Sequence, residues 1–180
     1  TYVVWPRESG GNLSIVTYPD SLSDLTIVPE ASPACFAQGT MLQTPDGARV
    51  VEDLVIGDLV TSSSGTGVRV KWVGRQTVST IFRPAERLMP VRVQAGALGD
   101  GLPVRDLTLT ADHALLIDGL LINAGALVNG TTIDYVPLSE KGESFTVYHI
   151  ETEDHDIILA EGAPAETFID YVGRQAFDNY

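Results

Sequence analysis

The chain has 180 residues, 44% of them hydrophobic, and carries 24 Asp and Glu against 11 Lys and Arg, a formal charge of −13. That length suits one domain with a core of its own, and no run of 18 apolar residues reads as a membrane-spanning helix. The acidic balance repels phosphate backbones and anionic bilayers, so neither nucleic acid nor membrane is an expected partner, and a single cysteine excludes both an internal disulfide and a two-cysteine metal site.

Residue 1 is Thr and no basic segment precedes an apolar one, so the sequence reads as a piece of a longer polypeptide whose targeting signals lie elsewhere. Residues 1–18 hold two β-rich stretches around Glu8-Ser9-Gly10-Gly11 and read as a hairpin. Residues 21–28 are mixed and extended in character. Glu30-Ala31-Ser32-Pro33-Ala34 is small and Pro-bearing, a linker composition that breaks directly before Cys35. From there short strand candidates dominate: 48–51, 58–61, 68–73, 76–78, 90–93, 107–110, 114–117, 120–122, 133–136 and 145–150, separated by Gly, Ser or Pro. The best candidate for a short helix is 163–172. Many short strands with turn signals predict an all-β domain.

Three ordered motifs stand out. Cys35-Phe36-Ala37-Gln38-Gly39-Thr40 comes first, then Asp53-Leu54-Val55-Ile56-Gly57-Asp58, then Thr110-Ala111-Asp112-His113 within an apolar stretch. A fourth is Val147-Tyr148-His149-Ile150, followed by the acidic turn Glu151-Thr152-Glu153-Asp154 and His155-Asp156. Asp53 to Asp58 is echoed by Ala126-Leu127-Val128-Asn129-Gly130-Thr131, a weak internal repeat. In this order the motifs resemble the Hint family, the self-processing domains of inteins and hedgehog proteins, and most closely its bacterial group. The resemblance covers most of the chain, from Cys35 to Phe177. It implies a horseshoe-like all-β fold with a pseudo-two-fold repeat, preceded by a short β-hairpin. It divides the chain into a flanking, extein-like segment (1–34), a Hint domain (35–177) and a tail (178–180).

The chemistry implied is intramolecular. Cys35 attacks the carbonyl of Ala34, an N–S acyl shift that converts a peptide bond to a thioester. The planar amide resists this, with a rotation barrier of ~18–20 kcal/mol, so a thiol, a proton donor for the leaving nitrogen and a stabilised oxyanion are all needed. A free thiol with pKa ~8.5 is mostly protonated at neutral pH and needs a base. By the resemblance, His113 protonates the leaving nitrogen and Thr110 orients that imidazole or polarises the amide. His suits the task because its pKa of ~6.5 lets it gain and lose protons near neutrality. His149 stands where the family usually has Asp, as a second acid/base. Ala34, Asp112 and His155 are supporting residues, with His155 pinning its turn.

Each residue also has a plainer reading: a lone Cys as a small buried hydrophobe, a His satisfied on a turn. Three His can bind Zn²⁺, but their spacing does not require it, and neither metal nor cofactor is expected. The end of the chain departs from inteins: Asn179 follows Asp178 rather than His, so a frayed tail is expected rather than splicing. No sterol-binding extension follows. The expected partner is the chain's own upstream polypeptide, with an external thiol or amine as a possible resolving nucleophile, in a monomer that is secreted or on a cell surface. Turnover would be single and autocatalytic. The competing readings are a slow or silent Hint-like β module of a larger secreted protein, and a thiol protease built on Cys35 and His113.

Overall fold

A computed structural model describes residues 34–81, 88–167, 174 and 177–179. The expected hairpin at 1–18, the extended piece at 21–28 and most of the linker lie outside the described residues. Among those described, the chain is almost entirely strand and turn. In chain order the strands are β1 (Phe36–Ala37), β2 (Met41–Thr44), β3 (Gly47–Val50), β4 (Leu59–Thr61), β5 (Gly67–Ser79), β6 (Pro90–Val93) and β7 (Leu107–Thr110). They continue as β8 (Ala114–Ile117), β9 (Leu120–Asn123), β10 (Ile133–Tyr135), β11 (Ser144–Thr152), β12 (Ile157–Ala160) and β13 (Ala163–Glu166). Short 3₁₀ turns lie at Val51–Asp53, Ala124–Leu127 and Leu138–Glu140. The all-β expectation therefore holds.

Two antiparallel sheets carry the fold, a seven-stranded one in the order β10-β6-β7-β1-β11-β5-β4 and a six-stranded one in the order β3-β2-β12-β13-β8-β9. Alternating burial builds the core between them. Val91 and Val93 of β6, Leu107 and Leu109 of β7, Leu42 of β2 and Leu115 of β8 are all fully or almost fully buried in one cluster. Each such side chain withdrawn from water stabilises the fold by roughly 1.5–3 kcal/mol.

The weak repeat becomes a structural one. Strands β1-β2-β3, a 3₁₀ turn and β4 are followed by β7-β8-β9, a 3₁₀ turn and β10. Met41 and Ala114, Gly47 and Leu120, Val51 and Ala124 open matching elements, each pair 73 residues apart. Even single hydrogen bonds recur. The Thr40 amide donates to the Ala37 carbonyl (3.2 Å) as the His113 amide does to that of Thr110 (3.0 Å). Val51 donates to Thr40 (2.8 Å) as Ala124 does to His113 (2.9 Å). Glu161 accepts from the Met41 amide as Glu166 accepts from that of Ala114, both at 2.8 Å. The Gly-Asp motif is a turn device: Gly57 has φ +95°, and the Asp58 carboxylate accepts from the Val55 amide at 2.9 Å and from Arg49 at 2.8 Å.

Two expectations are corrected. The helix at 163–172 is not formed in its described part: Ala163–Glu166 is strand β13, paired with β12 residue for residue from Ala163↔Ala160 to Glu166↔Ile157. Alternate burial of Ala163 and Ala165 outweighs the helical propensity of an Ala- and Glu-rich run. Residues 68–73 and 76–78 are not two strands but one, since β5 passes straight through Gly74. Glycine weakens strands in general, but here it is required. A Cβ at Gly74 would lie 2.5 Å from the Trp72 ring and 2.8 Å from Phe177.

Candidate active site

The seven-stranded sheet places Cys35 at its centre. The short β1 runs between β7 and β11, with Phe36 opposite Leu109 on one side and Tyr148 on the other. Cys35 is therefore flanked by Thr110 at the end of β7 and His149 in the middle of β11. Thr110 brackets it: the Cys35 amide donates to Thr110 Oγ1 at 3.1 Å, and the Thr110 amide donates to the Cys35 carbonyl at 3.0 Å. The amide nitrogen held by Thr110 is that of the Ala34–Cys35 bond.

Thr110 and His113 span a tight turn, closed by the His113 amide on the Thr110 carbonyl. That turn is why a Thr-x-x-His spacing brings both residues to one place. The imidazole of His113 packs on Phe36 with ring centroids 4.3 Å apart, and its Nε2–H donates to the Glu166 carbonyl at 3.1 Å. A carbonyl accepts only from N–H, so Nδ1 carries the lone pair. Burial pulls the His113 pKa down to about 4, against smaller upward pulls from the Cys35 and Glu166 backbones.

The second imidazole meets both atoms of the expected reaction. His149 Nδ1 lies 3.7 Å from Cys35 Sγ and in close hydrogen-bond contact with the carbonyl oxygen of Ala34. Burial lowers its pKa to about 3, opposed by the Ala34 carbonyl and helped by His113. The Cys35 thiol is wholly buried, and desolvation raises its pKa above the ordinary value. The resting site thus holds a neutral thiol and two neutral imidazoles in a dry setting. One consequence is slow labelling. A disulfide reagent should modify Cys35 in the folded protein on the order of a hundredfold more slowly than in the urea-unfolded chain. Equal rates, followed by release of the chromophoric thiol, would contradict this burial.

Cys35, Ala34, Thr110, His113 and His149 are brought together. Asp112 and His155 are not. Asp112 is partly exposed in the turn before His113. His155 lies in the β11–β12 turn with φ +54°, a left-handed conformation that His tolerates better than bulkier residues. Among the described residues no group of three His, Cys, Asp or Glu could hold a metal ion.

Three residues of the site escaped sequence reasoning. Trp72 and Phe177 wall His149, with ring centroids 6.3 and 5.0 Å from it, and Gly74 pairs opposite it across β5 and β11. The available signal was alternation. Val70, Trp72, Gly74 and Val78 share the buried face of one strand once Gly74 is read through rather than as a break.

A family model described as the Hint domain matches residues 34–172. The fold is similar to that of a variant of the MchDnaB-1 intein, 19% identical with a TM-score of 0.55 over 74% of this chain and 99% of that one. It is also similar to the bacterial intein-like domain from Clostridium thermocellum, 15% identical with a TM-score of 0.57 over 74% and 98%. A DnaB intein from Synechocystis, 11% identical, superposes with a TM-score of 0.51 over 76% and 99%. At such identities the likeness is one of fold. No curated protein matches the sequence.

Proposed function

The chain belongs to the Hint domain family, and from that membership we propose that it is a self-processing domain in which Cys35 cleaves the chain at Ala34–Cys35. The observation that carries this reading is the position of His149 Nδ1, in contact with the Ala34 carbonyl oxygen and 3.7 Å from Cys35 Sγ. A carbonyl accepts only from N–H, so this nitrogen carries the ring proton and donates to the Ala34 oxygen, on which negative charge develops as Sγ attacks the Ala34 carbon. The thiol proton goes instead to the Nδ1 lone pair of His113, which has the Cys35 backbone as a neighbour.

A preformed thiolate–imidazolium pair is strongly disfavoured here, because burial raises the thiol pKa and lowers those of both imidazoles. Proton transfer therefore accompanies attack rather than preceding it. In the second half of the step the C–N bond breaks. The Cys35 nitrogen leaves with a proton passed on through His113, while the Thr110 hydroxyl holds that nitrogen in place. The net change is one S–C bond made, one C–N bond broken, and the thiol proton moved to the new amine. Water or an external thiol or amine then takes the acyl group and frees the Cys35 thiol.

Intact-mass spectrometry with and without dithiothreitol, beside a Cys35→Ala control, tests the reading. The expected result is a fragment beginning at Cys35, increased by thiol and absent from the control. A single full-length mass under every condition would sink it. That outcome selects the second reading, a slow or silent Hint-like module of a larger secreted or surface protein. The complete burial of Cys35 speaks for that alternative.

A further inference from the structure

We propose that Phe177 is a positioning residue for His149: residues 177–179 clip onto the edge of β5 beyond β4 and set the Phe177 ring against the imidazole, which holds Nδ1 on the Ala34 carbonyl. The inference rests on the reading of His149 as the group that acts at Ala34.

The contact itself is close. Phe177 is 6% exposed, and its ring lies 5.0 Å from His149 at 36° and 4.9 Å from Trp72 at 82°. The space it fills exists because position 74 has no side chain, where a Cβ would come within 2.8 Å of the Phe177 ring. A glycine in the middle of a long strand, a tryptophan beside it and a phenylalanine about a hundred residues later thus form one fitted wall around the imidazole.

The clip explains how so distant a residue is held. β4 covers β5 only at Gly67, Val68 and Arg69, and among the described residues no other strand pairs along the rest of that edge. Asp178 and Asn179 fill it. The Asp178 amide donates to the Arg75 carbonyl at 2.7 Å, and its carboxylate accepts from the Thr77 amide at 2.9 Å and hydroxyl at 2.8 Å. The Asn179 side chain accepts from the Arg75 amide and donates to the Val73 carbonyl, both at 2.8 Å. Two side chains thereby take the place of a missing edge strand. Asn179 is not a frayed end: its carboxamide is tied at both its oxygen and its nitrogen. Arg174 adds a second tie, with its guanidinium 4.9 Å above the Trp72 ring and 2.9 Å from the Glu151 carboxylate.

The function of such a wall is mechanical and dielectric. It bars the rotation of His149 that would take Nδ1 away from Ala34, and it keeps water from the ring, so that an N–H···O contact to a developing oxyanion acts at low dielectric. Among the described residues, the polar groups that face His149 include the Ala34 carbonyl, the Cys35 thiol and the His113 imidazole. From β5 it meets Trp72 and Gly74, with Arg174 beyond the indole and neutralised by Glu151.

The experiment has two arms. In the Cys35→Ala background, where no cleavage can occur, imidazole NMR gives the His149 titration midpoint for Phe177 intact, Phe177→Leu and Phe177→Ala. Phe177→Ala should raise the midpoint by about 1 pH unit or more, toward the ordinary ~6.5, and Phe177→Leu should raise it less. With Cys35 present, Phe177→Ala should slow thiol-induced cleavage about tenfold or more, and Phe177→Leu should restore part of the rate. If Phe177→Ala fails to fold, the double variant Asp178→Ala/Asn179→Ala, which releases the clip and leaves every core residue in place, should raise the midpoint in the same direction. An unmoved midpoint in the folded variant overturns the proposal. A raised midpoint with no cleavage in any variant keeps Phe177 as the seat of His149 and removes the self-processing reading instead.

Discussion

Replacing His149 by alanine should slow formation of the thioester between Ala34 and Cys35 by on the order of 10²- to 10³-fold, and replacing it by glutamine by on the order of tenfold. The difference isolates the N–H at Nδ1. Alanine removes the donor to the Ala34 oxygen. Glutamine keeps an N–H that can reach that oxygen, on a more flexible side chain than the ring. Both variants leave the Thr110 hydroxyl on the scissile nitrogen and His113 beside the Cys35 backbone, so any residual rate measures what those two residues achieve alone. Hydroxylamine trapping followed by intact mass gives the rates, with circular dichroism confirming that each variant is folded. Cleavage of His149→Ala within a few-fold of the unsubstituted chain would mean that the nitrogen beside Cys35 is a bystander.

Acid should unfold this domain well above the pH at which its carboxylates are all protonated. His113 and His149 have folded-state pKa values of about 4 and 3 because both are fully buried, whereas an unfolded histidine titrates near 6.5. Between those limits the unfolded chain binds more protons than the folded one, so stability falls as pH falls. The loss begins near pH 6.5, and for each residue it is complete only below its folded value. At one pKa unit per ~1.4 kcal/mol, the two residues together remove roughly 5 kcal/mol by about pH 4.5. That is comparable with the whole stability of many domains, about 5–15 kcal/mol.

Glu166 works in the opposite direction. Its carboxyl is raised chiefly by desolvation, so its protonation favours the folded state, but it is half exposed to solvent and offsets only part of the loss. Urea titrations at pH 7.5, 5.5 and 4.5 should show the unfolding midpoint dropping steeply, and a His113→Gln/His149→Gln double variant should flatten that dependence. A midpoint that is level from pH 7.5 to 4.5 in the unsubstituted chain would show that neither imidazole is held neutral by burial.

Much of the domain was legible from local patterns. Strands β6, β7 and β8 were read at their observed ends, because alternating apolar residues bounded by Gly and Pro report a half-buried strand without outside help. The 53–58 echo at 126–131 was faint as sequence, yet it marks the same turn in two copies. Gly57 and Gly130 both adopt positive φ, as such a turn demands. The Thr-x-x-His spacing was legible for a similar reason: residues three apart across a tight turn meet wherever that turn is formed.

Other features depended on partners far along the chain. Ala163–Glu166 has the composition of a helix and is a strand, since β8 and β12 flank it and small side chains fit between the sheets. Gly74 reads locally as a break and is the point where a long strand passes closest to two aromatic rings. Phe177, Asp178 and Asn179 read as a terminus and instead complete the edge of β5 and the wall of His149. The all-β class, the turns, the order of the motifs and the residues able to do chemistry follow from neighbours within a few positions, and so are written in the linear chain. That one imidazole nitrogen stands beside both the Cys35 thiol and the Ala34 carbonyl, that burial holds both histidines neutral, and that residues 177–179 close over His149 came only from the folded arrangement. Distance, burial and desolvation arise between residues some 75 to 115 positions apart, and no local pattern carries them.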